Sequence, residues 1–309
     1  MKKPATDPEE RGERVAGIVI THPERVIDAV SGLRKLDLAR YYERAAERIL
    51  PWLDDRPVSL LRAPDGVGGE AFFQRHASHT EMAGMEQLDP GLDPGHAPLL
   101  RIASARALAG AAQMGVVELH TWNARVDDLE HPDRFVLDLD PDPSLPWARM
   151  IEATRLVLAL LEALGLASFL KTSGGKGMHI LVPLERRHGW EEVRDFTHAI
   201  TRHLAQRMPE RFSAISGPKN RVGRIFVDYL RNSRGASTVC AWSVRAREGL
   251  PVSVPVAPEE LERLRGANAW TLQNIDERLA LRGGDDPWAT WGDVRQRLTQ
   301  RMWRQLGEE

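Results

Sequence analysis

Residues 135–143 read FVLDLDPDP. From Arg134 to Asp140 the run alternates side chains with the two-residue period of a β-strand, and Pro141 and Pro143 end it. Alternation places Phe135, Leu137 and Leu139 on one face, toward a core, and Asp138 and Asp140 together on the other. Two adjacent carboxylates on one sheet face repel each other and are costly to bury unpaired. A hard divalent cation relieves that cost, because Mg2+ and Mn2+ take oxygen ligands. The pattern also fits an exposed face of salt-bridged acids. Asp142 keeps the spacing but lies past the strand, as a loop or cap residue.

A second acidic strand follows at Gly223–Leu230. In RIFVDYLRN, Ile225, Val227 and Tyr229 share one face, and Phe226, Asp228 and Leu230 the other. A lone Asp in an apolar strand needs a partner. Asp228 either completes a three-carboxylate site able to hold two metals, or pairs with Arg224 or Arg231. Between the acidic strands lies KTSGGKGMHI, residues 171–180. Gly174, Gly175 and Gly177 let the backbone approach a ligand, and amides exposed in such a turn form an anion nest. Ser173 adds a hydroxyl, Lys176 a point charge and His179 a ring donor. The GxxxxGK[ST] spacing is absent and a strand follows, so this is no Walker A loop. It reads as a strand–turn–strand triphosphate grip, or else as a glycine-rich hairpin with a snorkelling lysine.

The remaining pattern is α+β. Strands are expected at Gly17–Ile20, Val58–Arg62, Val116–Trp122, Ser168–Lys171, Met178–Leu184 and Ser237–Val244. Helices are expected at Asp37–Leu50 with Asp37 as N-cap, at Ala148–Leu164, at Trp190–Met208, and near Pro258–Arg265, Thr271–Leu281 and Pro287–Leu306. Strands and helices interleave without a strict βαβ rhythm, which favours mixed sheets over a doubly wound parallel fold. Residues 1–16 are polar and read as a disordered tail, leaving 17–309 as the folded part.

The 309 residues carry 42 Lys+Arg against 44 Asp+Glu, a formal charge of −2. This excludes a polybasic protein but not a nucleic-acid binder, which needs a basic face and not a basic total. Residues 201–250 hold ten Lys+Arg against three Asp+Glu, +7 against −9 for the rest. Such asymmetry is expected of a phosphate-binding region. Arg245 and Arg247, two apart on an expected strand, face the same way. Of the 42 cations six are lysines, and Lys35, Lys171, Lys176 and Lys219 lie inside the chain; a lysine kept against this bias points to a site wanting a compact ammonium. The lone Cys240 rules out an internal disulfide and reads as a small buried strand residue. No apolar run reaches membrane-spanning length, and Lys2 and Lys3 precede acidic sequence, not an apolar segment. A reducing cytoplasm fits. Phe72 and Phe73, beside Arg75 and His76, form an aromatic pair in which one ring can face the core and the other stack on a base.

The order DLD, SGGKGMH, FVDYL resembles the archaeo-eukaryotic primase superfamily. GLRKLDLARYYE, RPVSLLRAPDG, AFFQRH, GVVELHTWN, FVLDLDPDP, KTSGGKGMHILVPL and FVDYLRN resemble more closely one branch, the polymerase domain of bacterial ligase D in non-homologous end joining. The resemblance implies a primase-polymerase fold whose mixed and antiparallel sheets form a cleft between two sublobes flanked by helices. It implies Asp138, Asp140 and Asp228 as ligands of two divalent ions, Mn2+ or Mg2+, and His179 on the nucleotide phosphates. Ser173, Lys176 and Arg245 would hold the triphosphate, Phe72 and Phe73 would lie near the bases, and His22, Arg25 and Lys35 would meet a downstream 5′-phosphate. It further implies gapped DNA or DNA ends and NTP or dNTP as substrates, with ribonucleotides preferred. Ku, fused ligase and nuclease modules and a nucleoid-associated cytoplasmic setting are implied as well. No KxDG-like adenylation motif is present. Two other readings compete: a primase that starts chains without a primer, and a DNA-end-binding module with little catalysis. Clustered acids beside phosphate-binding residues count against the last.

Overall fold

The computed structural model describes residues 13–79 and 81–307. In chain order its strands are β1 (Glu13–Val15), β2 (Ile18–Ile20), β3 (Val26–Asp28), β4 (Leu33–Arg34), β5 (Val58–Arg62), β6 (Phe72–Gln74), β7 (Glu86–Gln87), β8 (Leu100–Arg101), β9 (Val116–Thr121), β10 (Arg134–Pro141), β11 (Phe169–Thr172), β12 (Met178–Pro183), β13 (Phe212–Ser213), β14 (Ile225–Asp228), β15 (Thr238–Val239) and β16 (Pro255–Val256). The helices are α1 (Lys35–Arg44), α2 (Ala46–Leu53), α3 (Ala105–Gln113), α4 (Trp147–Ala163), α5 (Trp190–Arg207), α6 (Asp276–Ala280) and α7 (Gln300–Leu306).

Two six-stranded sheets organise these elements. The first runs β15-β9-β5-β8-β7, with β6 also on β5, and the second runs β13-β14-β10-β12-β11-β16. Every ladder is antiparallel except β13 on β14. The expected α+β class with mixed sheets is the class observed. Helices α1, α2 and α3 pack on the first sheet through Leu36, Tyr42, Ile49 and Leu108 against Leu60, Val117 and Leu119. Helix α4 offers the second sheet a stripe at helical spacing, Met150, Ala153, Val157 and Leu161, and α5 offers Val193, Phe196, Ile200 and Leu204. These cover Phe135, Leu137 and Leu139 of β10, as alternation requires.

The opposite face of the second sheet changes character along its length. Val136, Phe169 and Leu181 belong to the core beneath the first sheet. One step on, the same face carries Asp138, His179 and Lys171. The core thus ends where the charged residues begin, at the junction of the sheets.

An asparagine carries β10 across this junction. Strand β14 pairs with β10 from Asp138 onward. Beyond it the buried Asn232 side chain takes over: Val136 N–H donates to its Oδ1 at 2.8 Å, and its Nδ2 donates to the Val136 carbonyl at 2.7 Å. Asn123, just past β9, donates to the same Oδ1 at 3.1 Å.

Several sequence expectations need correction. Of the expected tail, 1–12 lies outside the described residues, while Glu13–Val15 pairs with β2 and buries Val15. Asp37 is not the N-cap of α1. It is the third helical residue, and its carboxylate accepts the Arg34 N–H at 2.8 Å. The strand expected at Ser237–Val244 stops at Val239, and Trp242 turns the chain with φ of 68°. Arg245 and Arg247 therefore do not lie on a strand. Cys240, buried just past β15, has its thiol pushed up to about 11 by burial. Residues 258–263 form a 3₁₀ helix, and the helix near 271–281 shrinks to α6. The helix expected over 287–306 is α7 alone, because the stretch before it serves as a strap. Trp288 Nε1 donates to the Leu170 carbonyl at 2.8 Å, and Gln296 Nε2 donates to the carbonyls of Ala167 and Pro183 at 2.9 and 2.8 Å. Contacts to the edge and end of a sheet outweigh local helical spacing there.

Asn232→Ala would leave both Val136 backbone groups buried without partners. It is expected to lower stability by roughly 2–4 kcal/mol, read as a shift in urea midpoint with the slope unchanged.

Candidate active site at the junction of the sheets

Register sets Asp138 opposite His179 on β12 and opposite Asp228 on β14, and sets His179 opposite Lys171 on β11. Directly opposed residues share a face. Asp228, Asp138, His179 and Lys171 therefore form one row across four strands, with Asp140 two residues along β10. His179 Nε2 lies 3.2 Å from Asp138 Oδ1, and its Nδ1 lies 2.9 Å from Lys171 Nζ. Lys171 Nζ also donates to Ser253 Oγ at 2.8 Å. Burial brings the Lys171 ammonium down to about 7 and the His179 imidazole down to about 4. At neutral pH His179 is uncharged, with Nδ1 accepting from Lys171 and Nε2–H donating to Asp138.

The three carboxylates are crowded. Burial pushes Asp228 up to about 6; Arg231 opposes this and Asp138 adds to it. Burial and the Asp138 charge also raise Asp140. Burial works to raise Asp138 too, but the His179 ring, its hydrogen bond and Arg231 outweigh it and hold that carboxyl low. Arg231 Nε stands 3.1 Å from Asp228 Oδ2 and 3.9 Å from Asp138 Oδ2, and Arg221 Nη1 stands 3.0 Å from Asp140 Oδ2. The two sequence alternatives for Asp228 thus coincide: it pairs with Arg231 and it joins the cluster. Three oxygen-donor carboxylates, two of them raised by burial and mutual repulsion, fit a hard divalent cation.

The glycine-rich turn is packed tightly on this strand. A Cβ on Gly177 would lie 1.9 Å from the Leu139 carbonyl oxygen, and Gly174 has φ of +66° with its Cβ position 2.7 Å from Arg245 Cγ. The open anion nest expected here is not what the turn forms. Ser173 Oγ accepts the N–H groups of Gly175 and Gly177, both at 3.1 Å, so these amides are taken. Ser173 is buried with its hydroxyl turned into the loop, while Lys176 stands exposed at the tip.

In the second half of the site, sequence reasoning named Phe73, Arg245 and Arg247 but missed Glu118 and His120. A cavity of about 870 Å³ opens between the sheets, lined by Asp138 and His179 on one side and by Phe73, Glu118 and His120 on the other. Arg231, Arg234, Arg245 and Arg247 complete its walls, so four cations of the basic 201–250 stretch meet here. Glu118 Oε2 lies 2.7 Å from His120 Nε2 and 3.0 Å from Arg245 Nε, and Glu118 Oε1 accepts the Ala246 N–H at 2.9 Å. Arg245 Nη1 donates to the Ser173 carbonyl at 2.6 Å. Glu118 therefore braces Arg245 and, through it, the glycine turn. The signal was present in ELH, whose period-two polar residues repeat the DLD pattern. Lys171 carried the other signal, as a lysine kept in an arginine-rich chain. Phe72 and Phe73 depart from the expected division, because both rings are exposed, at 45% and 53%. Phe73 meets His120 edge-on at 5.1 Å, and Phe72 lies 5.3 Å from the Arg62 guanidinium.

His22, Arg25 and Lys35 meet elsewhere. Arg25 N–H donates to the His22 carbonyl at 3.0 Å, and Lys35 N–H donates to the Arg25 carbonyl at 2.8 Å. Arg25 and Lys35, with Arg62, line a cavity of about 210 Å³. Lys35 is buried and its Nζ donates to the Thr21 carbonyl at 3.0 Å. Burial, then the Arg25 charge, brings it down to about 8.

Comparison with known proteins agrees with this architecture. Residues 34–288 match the family model of the ligase D primase-polymerase domain. A multifunctional non-homologous end joining protein LigD of Pseudomonas aeruginosa is 62% identical over 99% of this chain and 38% of its own length. The counterpart from Mycolicibacterium smegmatis is 30% identical over 86% of the chain and 35% of its length. The chain thus spans little more than a third of these relatives. Among solved structures, the polymerase domain of Mycobacterium tuberculosis ligase D in complex with DNA superposes with a TM-score of 0.79 at 28% identity, covering 85% of this chain and 94% of that one. The chain belongs to the ligase D primase-polymerase domain family of nucleotidyltransferases.

Proposed function

We propose that this chain is a template-directed polymerase that adds nucleotides, ribonucleotides by preference, to primer 3′ ends at gaps and double-strand breaks in non-homologous end joining. The observation that carries this reading is the row of Asp228, Asp138 and His179, with Asp140 beside it, whose Asp138 and His179 line a cavity walled by arginines. Asp138, Asp140 and Asp228 would hold two divalent cations, Mn2+ or Mg2+, which when bound supply activation of the primer 3′-hydroxyl and charge neutralisation at the triphosphate. Arg245, Arg247 and Lys176 set positive charge against the phosphoryl oxygens. His179, whose one N–H is here directed at Asp138, lines the cavity where the phosphates would lie, Ser173 holds the turn in shape, and Phe73 offers a stacking face for a base beside Phe72. The ribonucleotide preference, like Ku, the fused ligase and nuclease modules and the nucleoid setting, is inferred from family resemblance. Among the described residues no helix is long and apolar enough to cross a membrane.

DNA with a 5′-phosphate at the far edge of the gap is the proposed partner of His22, Arg25 and Lys35. A buried ammonium beside a second cation, hydrogen-bonded to a neutral carbonyl, is poised for an anion.

The deciding assay is primer extension across a gap, with and without the downstream 5′-phosphate, comparing NTP with dNTP and Mn2+ with Mg2+. Asp138→Ala or Asp140→Ala is expected to abolish extension while binding to gapped DNA persists; extension at the normal rate by either variant would sink the reading. A lysine is charged below its pKa. The preference for 5′-phosphorylated DNA should therefore be nearly full at pH 7 and decline as pH rises through about 8, with no such decline in Lys35→Ala. Lys171→Met removes a buried charge and keeps the volume, so the thermal midpoint should hold or rise. Without its donor on Nδ1, His179 loses its fixed tautomer. We expect kcat/KM for nucleotide to fall by roughly 10–100-fold, the range seen when a supporting partner of a site histidine is removed.

A further inference from the structure

On the flank of the cleft, apart from the carboxylate cluster, His76, Asp93 and His96 turn donor atoms toward one another, all within 4.8 Å. His76 Nε2 lies 2.9 Å from Asp93 Oδ2, and His96 Nδ1 lies 3.1 Å from that same oxygen. The rings are nearly parallel, with centroids 4.9 Å apart and planes 14° from each other. We propose that these three side chains form a second metal site, taking a borderline transition ion such as Zn2+, which clamps the loop at residues 88–98 against the end of β6.

The donor set names the ion class. Two imidazoles and one carboxylate suit Zn2+ and its neighbours, whereas Mg2+ and Mn2+ seek all-oxygen sets of the kind on β10 and β14. Distances agree. Bonds of about 2.0–2.1 Å in a tetrahedron place ligand atoms roughly 3.3 Å apart, close to the two separations to Oδ2. Small side-chain rotations would admit the ion.

The backbone, not mutual attraction of the side chains, places the ligands. His76 bridges to Leu99, and Ala77 N–H donates to the Pro98 carbonyl at 2.7 Å. His96 N–H closes a turn on the Asp93 carbonyl at 3.3 Å, with Gly95 at φ of +90° between them. Asp93 also has the support that a ligating carboxylate commonly has. Its Oδ1 takes Arg234 Nη1 at 3.0 Å, leaving Oδ2 to the ion, and Glu130 balances Arg234 at 2.9 Å. The His96 side chain is 61% exposed, so ions can enter and water can take the fourth position. Arg234 also lines the main cavity and lies 5.5 Å over the Trp122 ring. The metal would thus brace one wall of the cleft through Asp93 and Arg234.

In the competing arrangement two neutral rings each donate an N–H to Oδ2 and no ion binds. Chelator-stripped protein titrated with Co2+ separates the two. We expect one equivalent to give the intense visible absorption of four-coordinate Co2+, to be displaced by one equivalent of Zn2+, and to persist in an Asp138→Asn/Asp140→Asn variant. It should vanish in His76→Gln/His96→Gln. Zn2+ should raise the thermal midpoint of the parent protein but not of that variant. His96→Ala, on an exposed loop where folding is not at stake, should lose most of the affinity. An absorption band unaffected by the histidine changes, a band that follows Asp138 and Asp140, or no stoichiometric binding would each overturn the proposal.

Discussion

The antiparallel register of β10 is the constraint on which the site depends. Because Asp138 is opposed by His179 on one side and Asp228 on the other, three chain segments far apart in sequence deliver side chains to one row. Side-chain period in a strand is two, so a one-residue slip in either ladder would send the apolar set to the cleft and the charged set into the core. The apolar face of Phe135, Leu137 and Leu139 under α4 and α5 therefore does more than stabilise the sheet. It selects the register that assembles the carboxylates. Asn232 extends that control past the end of β14 by occupying the Val136 backbone on the side where no strand remains.

The row also shows how a sheet tolerates buried charge. Lys171 is 1% exposed. It is held by two neutral acceptors, His179 Nδ1 and Ser253 Oγ. Burial weakens its hold on a proton and also that of His179. A lysine that donates and a ring that stays neutral fix the direction of every hydrogen bond as far as Asp138. Arginine would serve poorly at this position, because its broad planar head is always charged and needs more partners than two. That argument gives physical content to a lysine kept in a chain with six of them among 42 cations.

Much of this was legible in the sequence, and the misses have a common cause. Period-two alternation located β9 and β10, and the glycine-rich turn located β12; the faces inferred for β10 and for Ile225–Asp228 of β14 are the faces observed, whereas Tyr229 and Leu230, expected on that strand, lie past its end where the chain turns into a 3₁₀ helix. The helices that lie on the second sheet, α4 and α5, were found to within a residue because their apolar stripes are long. Elements whose shape is set by distant contacts were not legible. The strap before α7 has helical composition, yet Trp288 and Gln296 bond to sheet carbonyls that no local pattern announces. The glycine turn looked open because composition does not reveal that the Ser173 hydroxyl fills it. The exposed pair Phe72 and Phe73 follows the same logic, since β6 is a short strand whose two faces are Arg62 on one side and the cavity on the other.

Charge shows the limit most clearly. Around the cleft each of these acids meets a cation: Asp228 meets Arg231 three residues on, while Asp140 meets Arg221 and Glu118 meets Arg245 from other parts of the chain. The potential at such a site varies sharply over a few ångströms while its sum stays small. A formal charge of −2 and a +7 segment are projections of that pattern onto the chain, and neither records which acid faces which cation. The information lies in the pairing across strands, where Coulomb energy depends on separations of about 3 Å and on exclusion of water. For that reason net charge left nucleic acid undecided, while the alternation of two aspartates with leucine, a local pattern, already placed both carboxylates on the face where the structure has them.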